Sequence, residues 1–187
     1  MEVLLMSKFE EITIKTDDIF SGRMINLSVD TVRLPNGEQS TREIVKHPGA
    51  VAIIPITPEG KVVMVEQFRK PIGKSLLEIP AGRLDPGEEP IETARRELEE
   101  ETGYQANKLT LITSYYTAPG FADEILYIYL AEELSAVEDG LQTDEDEFVE
   151  VFEYTLKELE AFEKSQRIHD VKTIHAIQYL QLQQYKG

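Results

Sequence analysis

The chain has no cysteine among its 187 residues. That excludes disulfides and thiolate metal sites, and it suits a reducing cytoplasm. Positive charge is also scarce. Lys and Arg number 19 against 35 Asp and Glu, giving a formal net charge of −16 and a pI near 4.6. Non-specific nucleic-acid binding needs the opposite sign, as does an anionic membrane surface, so neither partner is expected. No apolar run approaches the roughly 20 residues needed to span a bilayer. The start, MEVLLMSKFEE, is acidic at its second position and has only a very short apolar run, so no signal peptide is expected. No internal repeat or low-complexity linker is apparent. Hydrophobic residues make up 41% and charged residues 29%, the balance of a soluble globular protein with room for one domain and a core. An anionic small-molecule substrate needs local Arg, Lys or bound metal to overcome the general field.

Hydrophobic patterning predicts short strands broken by turns from ITIKTDD to IVKH, with LPNGE as an Asn-Gly hairpin turn. GAVAIIPIT is a nearly continuous apolar run, the pattern of a buried strand. PEGK turns the chain into a second strand, VVMVEQFR, and SLLEIPAG is a short strand ending in a Pro- and Gly-marked loop. Residues 90–102 read as a helix with Pro90 in its first turn and Gly103 as its stop. LTLITSYYTAPG and EILYIYLAEEL read as strands around the loop TAPGFADE, and DEDEFVEVFEYTL returns as a strand after an acidic loop. Two helical stretches close the chain. The second spans about residues 171–184, with Ile174, Ile177 and Leu180 at core spacing. A mixed sheet carrying helices accommodates these elements.

The segment GRLDPGEEPIETARRELEEETGY crowds carboxylates onto one helix, where like charges one turn apart repel. At about 100° per residue, with Glu97 as zero, Glu101 falls near 40° and Glu100 near 300°. Ile91, Ala94 and Leu98 form a core stripe, whereas Glu92, Arg95 and Glu99 point away. Glu97, Glu100 and Glu101 therefore form a ridge between the core and solvent. Two readings follow from the residues alone. The ridge is either a solvated face stabilised by Arg–Glu pairs or a set of hard oxygen donors for Mg²⁺ or Mn²⁺.

The order of residues adds a family resemblance. Gly82, Glu88, Arg96-Glu97-Leu98, Glu100-Glu101 and Gly103 stand at the spacing of the box that marks the Nudix hydrolases. Tyr104 departs mildly from the aliphatic residue usual there. REIVKHPGAVAIIPI, VEQFRKP, LEIPAGRLDPGEEP and YYTAPGFADEILYIYLAEEL resemble the ADP-ribose pyrophosphatase branch, and Pro119 lies 16 residues after Gly103, as that branch has it.

The resemblance implies an α/β (α+β) fold: a Nudix-type α/β/α sandwich with a mixed sheet plus a small N-terminal β extension. Residues 1–47 would form the strand-rich extension, used in dimerisation and substrate contacts, and residues 48–187 the hydrolase domain. It implies a cytoplasmic homodimer that cleaves ADP-ribose to AMP and ribose 5-phosphate with Mg²⁺, or Mn²⁺. Glu97 and Glu101 would be the principal metal ligands, joined by Glu100, the carbonyl of Ala81 and Glu147, with Arg96 orienting the glutamates. Glu145, in the acidic loop, would be the catalytic base. Arg42 and Arg69 would pair with phosphate or ribose oxygens, with Arg23, Arg83, Gly120 and Phe121 as further substrate contacts. Phe20 is either an adenine platform or a packed strand residue, and Phe121 either a ribose contact or core. His47 reads as structural, and His169 and His175 as incidental. Two other functions stay open: a pyrophosphatase for another nucleotide sugar such as GDP-mannose, and a non-catalytic ADP-ribose sensor. Loss of a box carboxylate would favour the sensor, and none is lost.

Overall fold

The computed structural model describes residues 8–137 and 148–184. The chain divides into two compact units, Met1–Gly49 with Tyr116–Ile125, and Ala50–Tyr115 with Leu126–Gly187.

The first unit is built on an antiparallel sheet in the order β1-β2-β3, from β1 (Ile12–Ser21), β2 (Asn26–Arg33) and β3 (Gln39–Lys46). The Asn-Gly turn forms as expected: Gly37 takes φ 87°, its N–H donates to the Leu34 carbonyl at 2.9 Å, and Leu34 N–H donates to the Glu38 carbonyl at 2.8 Å. The loop carrying Gly120 and Phe121 belongs to this unit. Val45 N–H donates to the Phe121 carbonyl at 2.8 Å. Asp123 accepts from Lys46 Nζ and from the His47 N–H. Strand β1 is exposed along its whole length, and Ile12, Ile14, Ile19, Phe20 and Met24 all show large apolar surface.

The second unit holds two sheets and three helices among the described residues. One sheet runs β7-β4-β9-β8, from β4 (Ala50–Pro55), β7 (Ala81–Arg83), β8 (Tyr104–Tyr116) and β9 (Ile125–Ala136). Strands β4 and β9 are parallel and β7 is antiparallel to β4, so the sheet is mixed. The other runs β10-β5-β6, from β5 (Val62–Arg69), β6 (Lys74–Glu78) and β10 (Val149–Tyr154), all antiparallel. Strand β4 explains its own composition. Ala50, Ala52 and Ile54 face one core, which also takes Leu159, Ile168, Ala176 and Ile177. Val51 and Ile53 face the other, with Ala94 and Leu98. A strand buried on both faces needs an unbroken apolar run, and each fully buried Ile or Leu contributes about 1.5–3 kcal/mol relative to exposure.

Helix α1 (Pro90–Thr102) packs on the second core, whereas α2 (Leu156–Lys164) and α3 (Val171–Gln184) supply the first. This is the α/β/α sandwich the resemblance implied. Gly103 ends α1 in the left-handed conformation at φ 70°, with its N–H on the Glu99 carbonyl, as its role as a stop requires. Thr155 and Glu158 form a reciprocal capping box at the start of α2. Ile177 is buried, and Ile174 and Leu180 pack against the same cluster.

Candidate active site

The acidic ridge lies on α1 where that helix meets the short strand β7. Core anchoring at Ala94 and Leu98, both fully buried, turns Glu97 and Glu101 inward. They are only 9% and 6% exposed, which rules out a freely solvated face for these two. The Ala81 N–H donates to Glu101 Oε2 at 2.9 Å, and Gln67 of β5 reaches Oε1 at 3.5 Å. Glu97 lies against the backbone of Gly82. A Cβ on Gly82 would fall 1.8 Å from Glu97 Cδ and 2.0 and 2.3 Å from its two oxygens. Gly82 is absent from the glycines with positive φ, so close approach and not backbone conformation is what requires glycine here.

Arg96 gathers the remaining box acids. Its Nη1 donates at 2.8 Å to both Glu97 and Glu100, and its Nε and Nη2 donate to Glu88 at 3.3 and 3.1 Å. Nη2 also reaches the Arg83 carbonyl at 3.3 Å. Partial burial alone would favour a neutral guanidine. The bonds to Glu88, Glu100 and Glu97 and the charge of Glu97 outweigh it and raise the Arg96 pKa further. The bond from Arg96 in turn holds the Glu88 carboxyl below the usual carboxylate range, helped by the Thr93 hydroxyl at 2.8 Å.

Among the described residues no three His, Asp or Glu side chains are already gathered in metal-binding geometry. Arg96 offsets only part of the charge on Glu88, Glu97, Glu100 and Glu101. A set of hard, partly buried carboxylate oxygens seated on a glycine backbone fits a hard divalent cation such as Mg²⁺.

Arg69, at the end of β5, donates from Nε and Nη2 to Glu78 at 3.0 and 2.6 Å. Two residues earlier on the same strand, Gln67 reaches Glu101, so Arg69 lies on the strand that borders the ridge. The structure thus brings Ala81, Arg83, Arg96, Glu97, Glu100, Glu101 and Arg69 together in the second unit. Arg23, Arg42, Gly120 and Phe121 belong to the first. There Arg42 is bound to Glu11 through Nη2 at 2.5 Å and Nε at 2.8 Å, so its fork is already engaged by a carboxylate. Phe20 and Phe121 are 56% and 59% exposed, which excludes a packed role for either within this chain. His47 Nδ1 accepts from the Gly49 N–H at 3.1 Å. The same nitrogen lies 3.6 Å from Glu124. Glu145 and Glu147 lie outside the described residues.

Three participants were not expected from sequence. Thr93 is fully buried and holds Glu88. Glu78 is 1% exposed, and its only sequence signal is a lone acid in the apolar stretch SLLEIP. Lys172, which donates to Glu78 from α3, carries no local signal.

A NUDIX domain model matches residues 46–176. The chain is 59% identical over 179 residues to the ADP-ribose pyrophosphatase of Bacillus subtilis (strain 168), covering 96% of this chain and 97% of that protein. It is 58% identical over 176 residues to the methanol dehydrogenase activator of Bacillus methanolicus, covering 94% and 95%. A solved structure of an ADP compounds hydrolase shares the fold with a TM-score of 0.82 over 95% of each chain, at 22% identity. The intact box on α1 and β7, the sandwich that carries it and the match over most of the chain agree: this protein belongs to the Nudix family.

Proposed function

We propose that this chain hydrolyses the pyrophosphate of ADP-ribose, giving AMP and ribose 5-phosphate. The observation that carries the reading is the Glu97 carboxylate seated on Gly82 beside the buried Glu101, in a chain similar along nearly its whole length to an ADP-ribose pyrophosphatase. Glu97 and Glu101 would hold Mg²⁺, or Mn²⁺, with Glu100, the Ala81 carbonyl and Glu147 as further ligands. When bound, the cation neutralises phosphate charge and makes water a better nucleophile. Arg96 fixes Glu97 and Glu100 in place. Arg69 presents its remaining N–H groups to a phosphate or ribose oxygen, with Arg83, Arg23, Arg42, Gly120 and Phe121 as further contacts. For Arg42 to bind substrate it must first leave Glu11. Glu145 takes the proton of the attacking water. One water oxygen joins phosphorus and the bridging P–O bond breaks, so atoms and charge balance without a redox partner.

The proposal extends to assembly and place. The exposed Ile12, Ile14, Ile19, Phe20 and Met24 support a homodimer in which residues 10–45 meet a second copy, since association would remove these apolar side chains from water. Absence of cysteine suits the cytoplasm. Among the described residues no helix is long and apolar enough to cross a membrane.

The test is release of AMP from ADP-ribose, ADP-sugars, dinucleotides and GDP-mannose with Mg²⁺. ADP-ribose should give the highest kcat/KM. Preference for GDP-mannose would replace the substrate, and tight ADP-ribose binding without turnover would make the chain a sensor. A second reading, activation of a dehydrogenase, draws on the Bacillus methanolicus relative. Methanol oxidation by a methanol dehydrogenase should rise when the chain is added, and should not rise with Glu97→Gln if hydrolysis is the cause.

A further inference from the structure

We propose that Lys172 is a positioning residue for Arg69, acting through the buried carboxylate of Glu78. The inference rests on the reading above that Arg69 holds an anionic or polar part of the substrate. The three side chains form a chain of contacts from α3 to the edge of the ridge. Lys172 Nζ donates to Glu78 Oε2, and Glu78 takes both Nε and Nη2 of Arg69. Exposure falls and then rises along it: the Lys172 side chain is 12% exposed, Glu78 1% and Arg69 38%. Only Arg69 is open to a ligand.

Each link has a physical reason. A carboxylate as buried as Glu78 carries a large desolvation cost unless it is paired and hydrogen-bonded. Burial alone would raise its pKa, but the bonds from Arg69 and Lys172 and their charges keep it below the ordinary value. It therefore remains an anion, able to hold the guanidinium bidentately. That grip fixes the plane of Arg69 before substrate arrives, which reduces the ordering left for the binding step. Lys172 bridges Glu78 and Asp170, so the four side chains together carry no net charge, and what Lys172 supplies is a second fixed donor to the Glu78 carboxylate that holds Arg69.

Helix α3 is placed to deliver the ammonium. Asp170 Oδ1 accepts from the Lys172 N–H at 3.1 Å, from the Thr173 N–H at 3.4 Å and from Lys172 Nζ at 3.1 Å. The Thr173 hydroxyl accepts from the Ile79 N–H at 3.0 Å, joining the first turn of α3 to the residue after Glu78. Lys172 is thus held at both ends of its side chain.

The test is a double-mutant cycle read by steady-state AMP release from ADP-ribose at saturating Mg²⁺. Lys172→Met should raise KM about tenfold with a much smaller change in kcat, and Lys172→Arg should restore KM. In an Arg69→Ala background, Lys172→Met should change KM by less than about twofold, because the group it acts through is gone. An unchanged KM in the single variant, or effects that multiply in the double variant, would overturn the inference whatever happens to Tm. If Lys172→Met does not fold, Lys172→Gln keeps a donor without charge and is read by the same two criteria. A parent protein that releases no AMP defeats the hydrolase reading. An active parent with an indifferent Lys172 defeats only this inference.

Discussion

Gly82→Ala separates the site from the fold. A new Cβ would lie 1.8 Å from Glu97 Cδ, whereas carbon atoms in contact sit about 3.5 Å apart, so the carboxylate must withdraw by about 1.7 Å. The obstacle is the end of a flexible side chain, and Gly82 does not need positive φ. Strand β7 can therefore keep its pairing with β4. Moving Glu97 off its preferred rotamer costs about 0.5–1.5 kcal/mol, a Tm decrease of only a few degrees for a chain this long, roughly 2–4 °C per kcal/mol. The site suffers far more. A displacement of about 1 Å can cost roughly 100-fold, equivalent to about 2.7 kcal/mol of barrier. We expect kcat/KM for ADP-ribose to fall at least about 100-fold while Tm falls only a few degrees, measured by AMP release and calorimetry on the same preparation. Activity within about threefold of the parent would refute the claim that Glu97 must lie on the Gly82 backbone.

Other outcomes follow from the same geometry. Arg96→Met removes the cation shared by Glu88, Glu97 and Glu100, so apparent Mg²⁺ affinity should weaken about 10–100-fold, and Mg²⁺ should raise its Tm less than it raises the parent's; an unchanged Mg²⁺ titration would contradict the role. Glu145→Gln should lower kcat at least about 100-fold with little change in KM, while Glu147→Gln should alter Mg²⁺ dependence; the reverse pattern would move the base within the acidic loop. Sedimentation at micromolar protein should give about twice 21.3 kDa, and a fully active monomer would remove residues 10–45 from the proposed site.

What the sequence disclosed, and what it hid, depends on the distance over which each feature is encoded. Strand β4 and helix α1 were legible because their signals are local: an unbroken apolar run, a proline at one end and a glycine at the other. The ridge was legible by angle, since Ala94 and Leu98 anchor one face and so fix where Glu97 and Glu101 must point. Strand β7 looks like part of a loop in the sequence because three residues hold no periodicity, and its identity comes from pairing with Ala50–Ala52. Arg42 looked available for phosphate because nothing near it in sequence reveals Glu11, 31 residues away, as its partner. Lys172 meets Glu78 across 94 residues, and no local pattern encodes such a contact.

The most direct measurement is Mg²⁺-dependent release of AMP from ADP-ribose by the parent, Glu97→Gln and Glu101→Gln proteins. Each substitution keeps the shape of the side chain and removes one anionic ligand. The parent should require the cation, and both variants should remain folded yet lose at least about 100-fold in kcat/KM at limiting Mg²⁺. Near-parental turnover by both variants at limiting Mg²⁺ would contradict the assignment of the ridge.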